Sequence, residues 1–134
     1  MVLGFINSCH SREPEPLLVG SWAWDKSVGG FTGNTVVSGT DRRIDTFTNR
    51  GKYESKSDGV LQMTADYAFK PSGFNSPDAF PYKLLLTNIN IYQPGKSVVR
   101  LDSLNYIVST INQQHLTYFD ADWSDGYSHF FQRR

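Results

Sequence analysis

The sequence has few of the residues that build disulfides and metal sites. Its 134 residues include one cysteine and three histidines. An internal disulfide is therefore excluded, and no Cys/His zinc pattern is present. An excess of charge of either sign is also lacking, because thirteen Lys and Arg balance thirteen Asp and Glu. Without an overall positive field, neither nucleic acid nor an anionic membrane surface is expected as a main partner.

Long apolar runs and helical periodicity are missing as well. From Leu17 onward, no stretch approaches the ~20 consecutive apolar residues of a transmembrane helix. No long segment repeats its apolar residues with a period of 3.6. No nucleophile elbow, P-loop, dinucleotide fingerprint or zincin motif occurs. We therefore expect no catalytic residues, no cofactor and no metal.

What the sequence does contain is a series of short β-prone segments rich in aromatics. From Leu17 onward these segments alternate with period two and are separated by turns rich in Gly, Pro, Asn and Asp. They span residues 18–26, 35–37, 42–48, 52–56, 60–69, 82–92, 98–101, 105–111, 115–119 and 127–133. The pattern predicts one all-β domain over residues 17–134, an antiparallel barrel or sandwich. A closed barrel would also remove the exposed edges of so many strands.

Residues 1–16 have a different character. An apolar stretch leads to Cys9, and a Pro- and Glu-rich segment typical of an extended linker follows it. This arrangement resembles the lipobox of bacterial lipoproteins, in which the signal peptide is cut just before a cysteine that then carries the lipid. The resemblance implies that residues 1–16 are a residual signal peptide and linker, with Cys9 as the lipid attachment residue. It also implies a lipid-anchored protein of the bacterial cell envelope, periplasmic or outer-membrane associated, with membrane contact only through that anchor.

Four features of residues 17–134 resemble the lipocalin-like domains of small bacterial lipoproteins, in the calycin superfamily. Gly20-Ser21-Trp22 fits the G-x-W of the first strand, and Phe131-Gln132-Arg133 fits the aromatic-x-basic ending of the last strand. The stretch from Phe47 to Tyr53 resembles a characteristic hairpin, and the Gly-rich stretch from Ser27 to Gly33 resembles the loop after the Trp strand. The resemblance implies an up-and-down antiparallel barrel of about eight strands with one open mouth. Trp22 would close the other end beneath Arg133 or Arg134, because a guanidinium over an indole is a favourable contact.

A barrel of about eight strands is either filled by side chains or holds one small ligand. The first hypothesis is a non-enzymatic domain that binds a small apolar or amphipathic molecule, with the 29–33 and 71–81 loops flanking the mouth. The candidate ligand-binding residues are Trp24, Phe31, Tyr53, Tyr67, Tyr106 and Tyr118. The alternative is a structural or protein-interaction module with a filled core and an unknown protein partner. An enzyme is the third hypothesis, since a few calycin relatives catalyse reactions.

The stretch from Asp120 to Gly126 contains three aspartates and a glycine, as a calcium-binding loop does. Its three aspartates do not follow the alternate spacing of such a loop, and no Glu stands at the required distance. We therefore predict an Asp-Gly hairpin turn whose carboxylates face solvent. His115 and His129 are interpreted as one surface and one cross-strand histidine.

Overall fold

The computed structural model describes residues 17–30, 35–38, 42–71, 82–121 and 126–134. Within these ranges the chain forms strands joined largely by short turns. In chain order they are β1 (Gly20–Gly29), β2 (Thr35–Val37), β3 (Arg43–Phe47), β4 (Lys52–Ser57), β5 (Val60–Pro71), β6 (Tyr82–Ile91), β7 (Val99–Ile111), β8 (His115–Asp120) and β9 (Tyr127–Arg133). No helix in these ranges is long and apolar enough to cross a membrane.

Eight of the strands close into a barrel. From β3 to β9 each strand pairs antiparallel with the next, while β1 pairs with both β3 and β9. The short β2 adds to the end of β1 outside this closed ring. The predicted all-β class, with an antiparallel up-and-down barrel of about eight strands, is confirmed.

One strand assignment made from the sequence is wrong. Residues 98–101 and 105–111 were expected to form two strands, but residues 99–111 form the single strand β7. Its pairing with β6 continues through the intervening residues, where Ser103 lies opposite Thr87 and Leu104 lies opposite Leu86. The apparent break reflects the exposure of the first half of β7, which has no buried face to impose an alternating pattern.

The strand directions separate two ends of the barrel. We call the end that carries Trp22 the tryptophan end, and the end at which β1 finishes at Gly29 the mouth end. Because neighbouring strands are antiparallel, β5 finishes and β6 begins at the tryptophan end. The prediction that the 29–33 and 71–81 loops flank the same mouth is therefore wrong: Pro71 lies at the end opposite Gly29. Residues 72–81 themselves lie outside the described ranges.

Inward-facing side chains fill the tryptophan end and the middle of the barrel. Period-two alternation places large apolar residues on the inner face of every long strand. The most completely buried of them are Leu18, Trp22, Phe47, Leu84, Ile89, Leu116 and Phe131. Three polar residues are also buried inside, namely Ser27, Asp45 and Ser55. Burying polar groups is costly unless they are hydrogen-bonded, so these three residues indicate a part of the interior in which side chains are hydrogen-bonded as well as packed.

The tryptophan end is closed by a contact between the two ends of the domain. Trp22 is 0 % exposed, and its indole Nε1 donates to the carbonyl of Leu18 at 2.9 Å. The guanidinium carbon of Arg133 lies 4.1 Å from the centre of the Trp22 rings. Arg133 also donates to the carbonyls of Leu17, Val19 and Gln113. Arg134 does not take this place; its backbone N–H donates to the carbonyl of Ser21.

Gly20 is needed for this closure. Its φ is +132°, a conformation that residues with a side chain rarely adopt. A Cβ at this position would stand 2.6 Å from Nη1 of Arg133. The glycine of the G-x-W pattern thus leaves room for the arginine that covers the tryptophan two residues later.

Candidate functional site

The polar interior is centred on an ion pair within β3. Arg43 and Asp45 are two residues apart, so period-two alternation points both side chains into the barrel. Nε of Arg43 donates to Oδ1 of Asp45 at 3.0 Å, and Nη2 donates to Oδ2 at 2.9 Å. The Asp45 side chain is 0 % exposed, whereas that of Arg43 is 30 % exposed. The arginine therefore stands between the buried carboxylate and the mouth end.

The Asp45 carboxylate is saturated by donors from two strands. Besides Arg43, the hydroxyl of Tyr53 donates to Oδ2 at 2.7 Å and that of Ser55 donates to Oδ1 at 2.7 Å. Both residues lie on β4, which is paired with β3. Four hydrogen bonds occupy this carboxylate, and such a network offsets the cost of burying its charge. Its role in the site is to position Arg43.

Aromatic rings support the Arg43 guanidinium. Its central carbon lies 5.8 Å from the ring centre of Trp24 and 5.4 Å from that of Phe131, within range of a cation–π contact. Burial lowers the pKa of Arg43, but the charge and hydrogen bonds of Asp45 outweigh this and hold the pKa above its ordinary value. Arg43 is thus a fixed positive charge. Within the described part of the chain, no group accepts a hydrogen bond from its Nη1.

Two tyrosines bring further donors to the space around Arg43 inside the barrel, which we call the Arg43 compartment. Tyr106 and Tyr118 lie with their ring centres 4.7 Å apart. Tyr118 is only 4 % exposed, yet no described residue is a hydrogen-bond partner of its hydroxyl. Every fully buried side-chain N or O atom in the described ranges does have a partner, so this hydroxyl is not fully enclosed.

Both phenols keep their protons. Burial raises the pKa of Tyr118 well above its ordinary value. Burial, together with the nearby charge of Asp120, raises the pKa of Tyr106 to about 12. Each hydroxyl is therefore available as a donor at neutral pH.

A second hydrogen-bonded chain runs along the mouth side of β1 and β9. Nε1 of Trp24 donates to Oγ of Ser27 at 3.0 Å, and Ser27 Oγ lies 2.8 Å from Nδ1 of His129. Nε2 of His129 lies 2.9 Å from Oδ1 of Asp120. Because a carboxylate can only accept, Nε2 donates to Asp120, and Nδ1 of that tautomer accepts a hydrogen bond from the Ser27 hydroxyl.

Asp120 departs from its predicted orientation. It was expected to face solvent, but its carboxylate accepts from His129 and, through Oδ2, from the backbone N–H of Tyr127 at 2.9 Å. A Cβ on Gly126 would stand 2.7 Å from the Asp120 Cβ, so the glycine lets the backbone at residue 126 lie against this side chain. Asp122 and Asp125 lie outside the described residues. Among the residues that the structure does describe, no group of three or more His, Cys, Asp or Glu could hold a metal ion.

An open cavity of about 280 Å³ lies at the mouth end. Its lining comes from β3 to β6 and the turn that follows, and includes Arg43, Ser55, Ser57, Gln62, Met63 and Ile91. The cavity is close to the lower end of the ~300–1,000 Å³ range of small-molecule sites. The arrangement can therefore hold a small molecule against a charged, positioned arginine.

Comparisons with known proteins do not assign this chain to a family. A scan against protein-family models, and searches of the curated proteins and of the solved structures, found no match. The function must therefore be inferred from the site itself.

The predicted ligand residues divide into three groups. Trp24 packs against the Arg43 guanidinium, Tyr106 and Tyr118 contact each other, and Tyr53 donates to Asp45, but none of these four lines the mouth cavity. Tyr67 packs edge-on against Phe47, with ring centres 5.2 Å apart, deeper in the core. Phe31 lies outside the described residues, and so does Cys9.

The central residues of the site were missed in the sequence. These are Arg43, Asp45 and Ser55, whereas Asp120 and His129 were considered but interpreted as part of a solvent-facing turn and as a surface or cross-strand histidine. A signal was present in the segment from Arg43 to Phe47 (RIDTF), where two charged residues alternate in phase with an aromatic. That phase predicts that the charges share a face with Phe47, which is buried.

Proposed function

We propose that this chain is a non-enzymatic lipocalin-like domain that binds a small amphipathic molecule at the mouth end of its barrel. The observation that carries the proposal is the cavity of about 280 Å³ with Arg43 in its wall. The opposite end is closed by Trp22 and Arg133, so a ligand has one route of entry. Apolar side chains such as Met63 and Ile91 line part of the cavity, which suits a molecule with one apolar and one polar part.

The chain of Ser27, His129 and Asp120 is the observation that most favours an enzyme. A nucleophilic serine needs an adjacent base and access to its substrate. Ser27 is only 6 % exposed, and its oxygen already accepts from Trp24 while it bonds to His129. This chain of contacts fixes the indole and the imidazole in the wall of the compartment, so we favour binding over catalysis.

A structural or protein-interaction module is the second candidate. It is favoured by the filled core at the tryptophan end and by apolar side chains that face solvent at the start of β7, such as Val99 and Leu101. In that case the barrel presents a surface to a protein partner, and the mouth cavity binds no ligand. Ligand occupancy distinguishes the two candidates.

Native mass spectrometry of protein purified from its own host tests the binding function. We expect a fraction of the protein to carry one small molecule that is released on denaturation. Met63→Trp, which fills the cavity, should abolish this adduct. Leu101→Trp, on the exposed part of β7, should leave it unchanged. Ligand-free spectra for the unaltered protein would favour the interaction module instead.

We also propose that Cys9 carries a lipid that anchors the domain to the bacterial cell envelope, periplasmic or outer-membrane associated. The support is the lipobox-like sequence alone. Cys9→Ser should move the protein from the membrane fraction to the soluble fraction and leave the melting temperature of the barrel unchanged. Mature protein from the native host that still carries Met1–Ser8 would contradict the anchor.

A further inference from the structure

One stretch of strand edge stays open although the barrel is closed. The ladder between β7 and β8 begins at Tyr106, and just before it the backbone N–H of Ala121 donates to the carbonyl of Asn105. From Val99 to Leu104, β7 is paired with β6 on one side. Within the described ranges no residue pairs with the other side of this stretch, which we call the open edge. The unpaired backbone groups of such an edge are a template for another strand.

Alternate residues of the open edge present their backbone groups outward. The carbonyl of Asn105 points toward β8, and the ladder with β6 has no register shift along this stretch. Period two therefore turns the N–H and carbonyl groups of Val99, Leu101 and Ser103 in the same direction. These residues are exposed, and the exposed fractions of Val99 and Leu101 are 43 % and 37 %. The open edge thus combines free backbone groups with apolar side chains in solvent.

Two charged side chains of the open edge also have no partner. Arg100 and Asp102 are exposed, and no residue in the described part of the chain forms an ion pair or side-chain hydrogen bond with either. Together with Leu101 they contribute to the wall of an open hollow of about 350 Å³, so the space beside them is unfilled. Opposite charges on either side of a leucine make this segment complementary to its own reverse.

An antiparallel copy of the open edge fits best in one register. When the pairing is centred on Leu101, Arg100 of each copy lies opposite Asp102 of the other, and Val99 lies opposite Ser103. Centring the pairing on Arg100 or on Asp102 would place like charges opposite each other, which is destabilising.

The backbone supports the same register. Centred on Leu101, the pairing brings the outward backbone groups of Val99, Leu101 and Ser103 together, so that they exchange hydrogen bonds across the edge. The pairs of Arg100 with Asp102 then fall at the intervening positions, where opposing side chains are closest. Charge and hydrogen-bond pattern therefore agree on one pairing.

We propose that the open edge is an interface between two copies of this chain, related by a two-fold axis at Leu101. Strands β6 and β7 of both copies join in one antiparallel sheet. Because β7 begins at the mouth end and the copy runs in the opposite direction, the partner barrel extends away from that end. The edge is short, so its dimer is weaker than one with a standard interface. This interface is separate from the proposed binding function and does not depend on it.

Sedimentation velocity of the full chain from about 10 µM to about 1 mM, the range suited to a weak dimer, tests the interface. We expect monomer at the low end and mostly dimer at the high end. Arg100→Asp and Asp102→Arg, each alone, should weaken the dimer about tenfold or more, because both cross-strand ion pairs become repulsive. Arg50→Asp makes the same charge change on the exposed turn between β3 and β4 and should leave the dimer unchanged.

An equimolar mixture of Arg100→Asp and Asp102→Arg should dimerise again, because every charge in the mixed pair then lies opposite one of the other sign. A substitution that merely damages the fold cannot give this rescue, and equal melting temperatures for all variants check the fold directly. A mixture that stays monomeric would overturn the pairing centred on Leu101.

Three other results would overturn the interface itself. They are a chain that is monomeric at every concentration, a dimer that neither single variant weakens, and an equal loss of dimer in Arg50→Asp. The small-molecule adduct in native mass spectra should be the same in the monomeric variants as in the unaltered protein. The binding function and the interface are therefore tested separately.

Discussion

Replacing Trp22 with alanine is expected to lower the free energy of unfolding by about 3–5 kcal/mol, the usual cost of deleting a fully buried large aromatic. The indole is 0 % exposed, and its loss also removes the surface on which Arg133 lies. Domains are stable by only about 5–15 kcal/mol in total, so this variant should lie near the limit of folding. Urea denaturation followed by circular dichroism measures the change.

The two terminal arginines provide the control. Arg133→Ala should cost more than about 1 kcal/mol, because the side chain donates to three carbonyls and covers Trp22. Arg134→Ala removes an exposed side chain and should change stability by less than about 0.5 kcal/mol. Equal losses for the two variants would show that the closure does not depend on Arg133.

Asp45→Ala is expected to be as damaging as the loss of Trp22. It leaves Arg43 without its counter-ion and the hydroxyls of Tyr53 and Ser55 without their acceptor. Removing one partner of a buried ion pair costs about 3–5 kcal/mol. The same urea denaturation measures this loss, with Asp58→Ala on the exposed turn between β4 and β5 as a control for a carboxylate outside the barrel.

A double variant, Arg43→Met with Asp45→Leu, separates stability from function. Replacing a buried ion pair by apolar residues of similar size is often neutral or stabilising. We expect the double variant to regain most of the stability lost in Asp45→Ala and to lose the small-molecule adduct in native mass spectra. A double variant as unstable as the single one would mean that the pair is retained for the fold and not for the ligand.

The fold could be predicted because its signals are local. Alternation and turn residues identify most of the strands, including the short β2, without any knowledge of their partners. This approach fails for the first half of β7, because its residues from Val99 to Ser103 are exposed and show no alternation of burial. Only the ladder with β6 reveals that the strand continues.

The placement of the loops required topology that alternation does not contain. If β2 is counted as a strand of the meander, the 71–81 loop falls at the same end as the 29–33 loop. Because β2 lies outside the closed ring and β3 pairs directly with β1, every later strand reverses its direction relative to that count. The position of the short strand β2 outside the ring thus determines which loops lie at the same end of the barrel.

The candidate site was only partly predictable for a similar reason. Aromatic residues such as Trp24 and Tyr118 were expected inside because burial is their usual fate. Arg43 and Asp45 follow the same phase as Phe47, but charged residues are ordinarily assigned to the outer face. The local sequence around Asp45 does not reveal that the hydroxyls of Tyr53 and Ser55 donate to it, since both residues come from the neighbouring strand.

The pairing of β1 with β9 has a consequence for how the protein is made. Arg133 donates to Val19 across 114 positions of chain, so one edge of β1 must wait for almost the whole domain to be synthesised before its partner β9 exists. Contacts this distant in sequence slow folding, and an unpaired strand edge in the meantime can recruit other chains. The domain is therefore expected to need protection during synthesis, and premature termination within β9 should yield an open, aggregating sheet in place of a slightly weakened barrel.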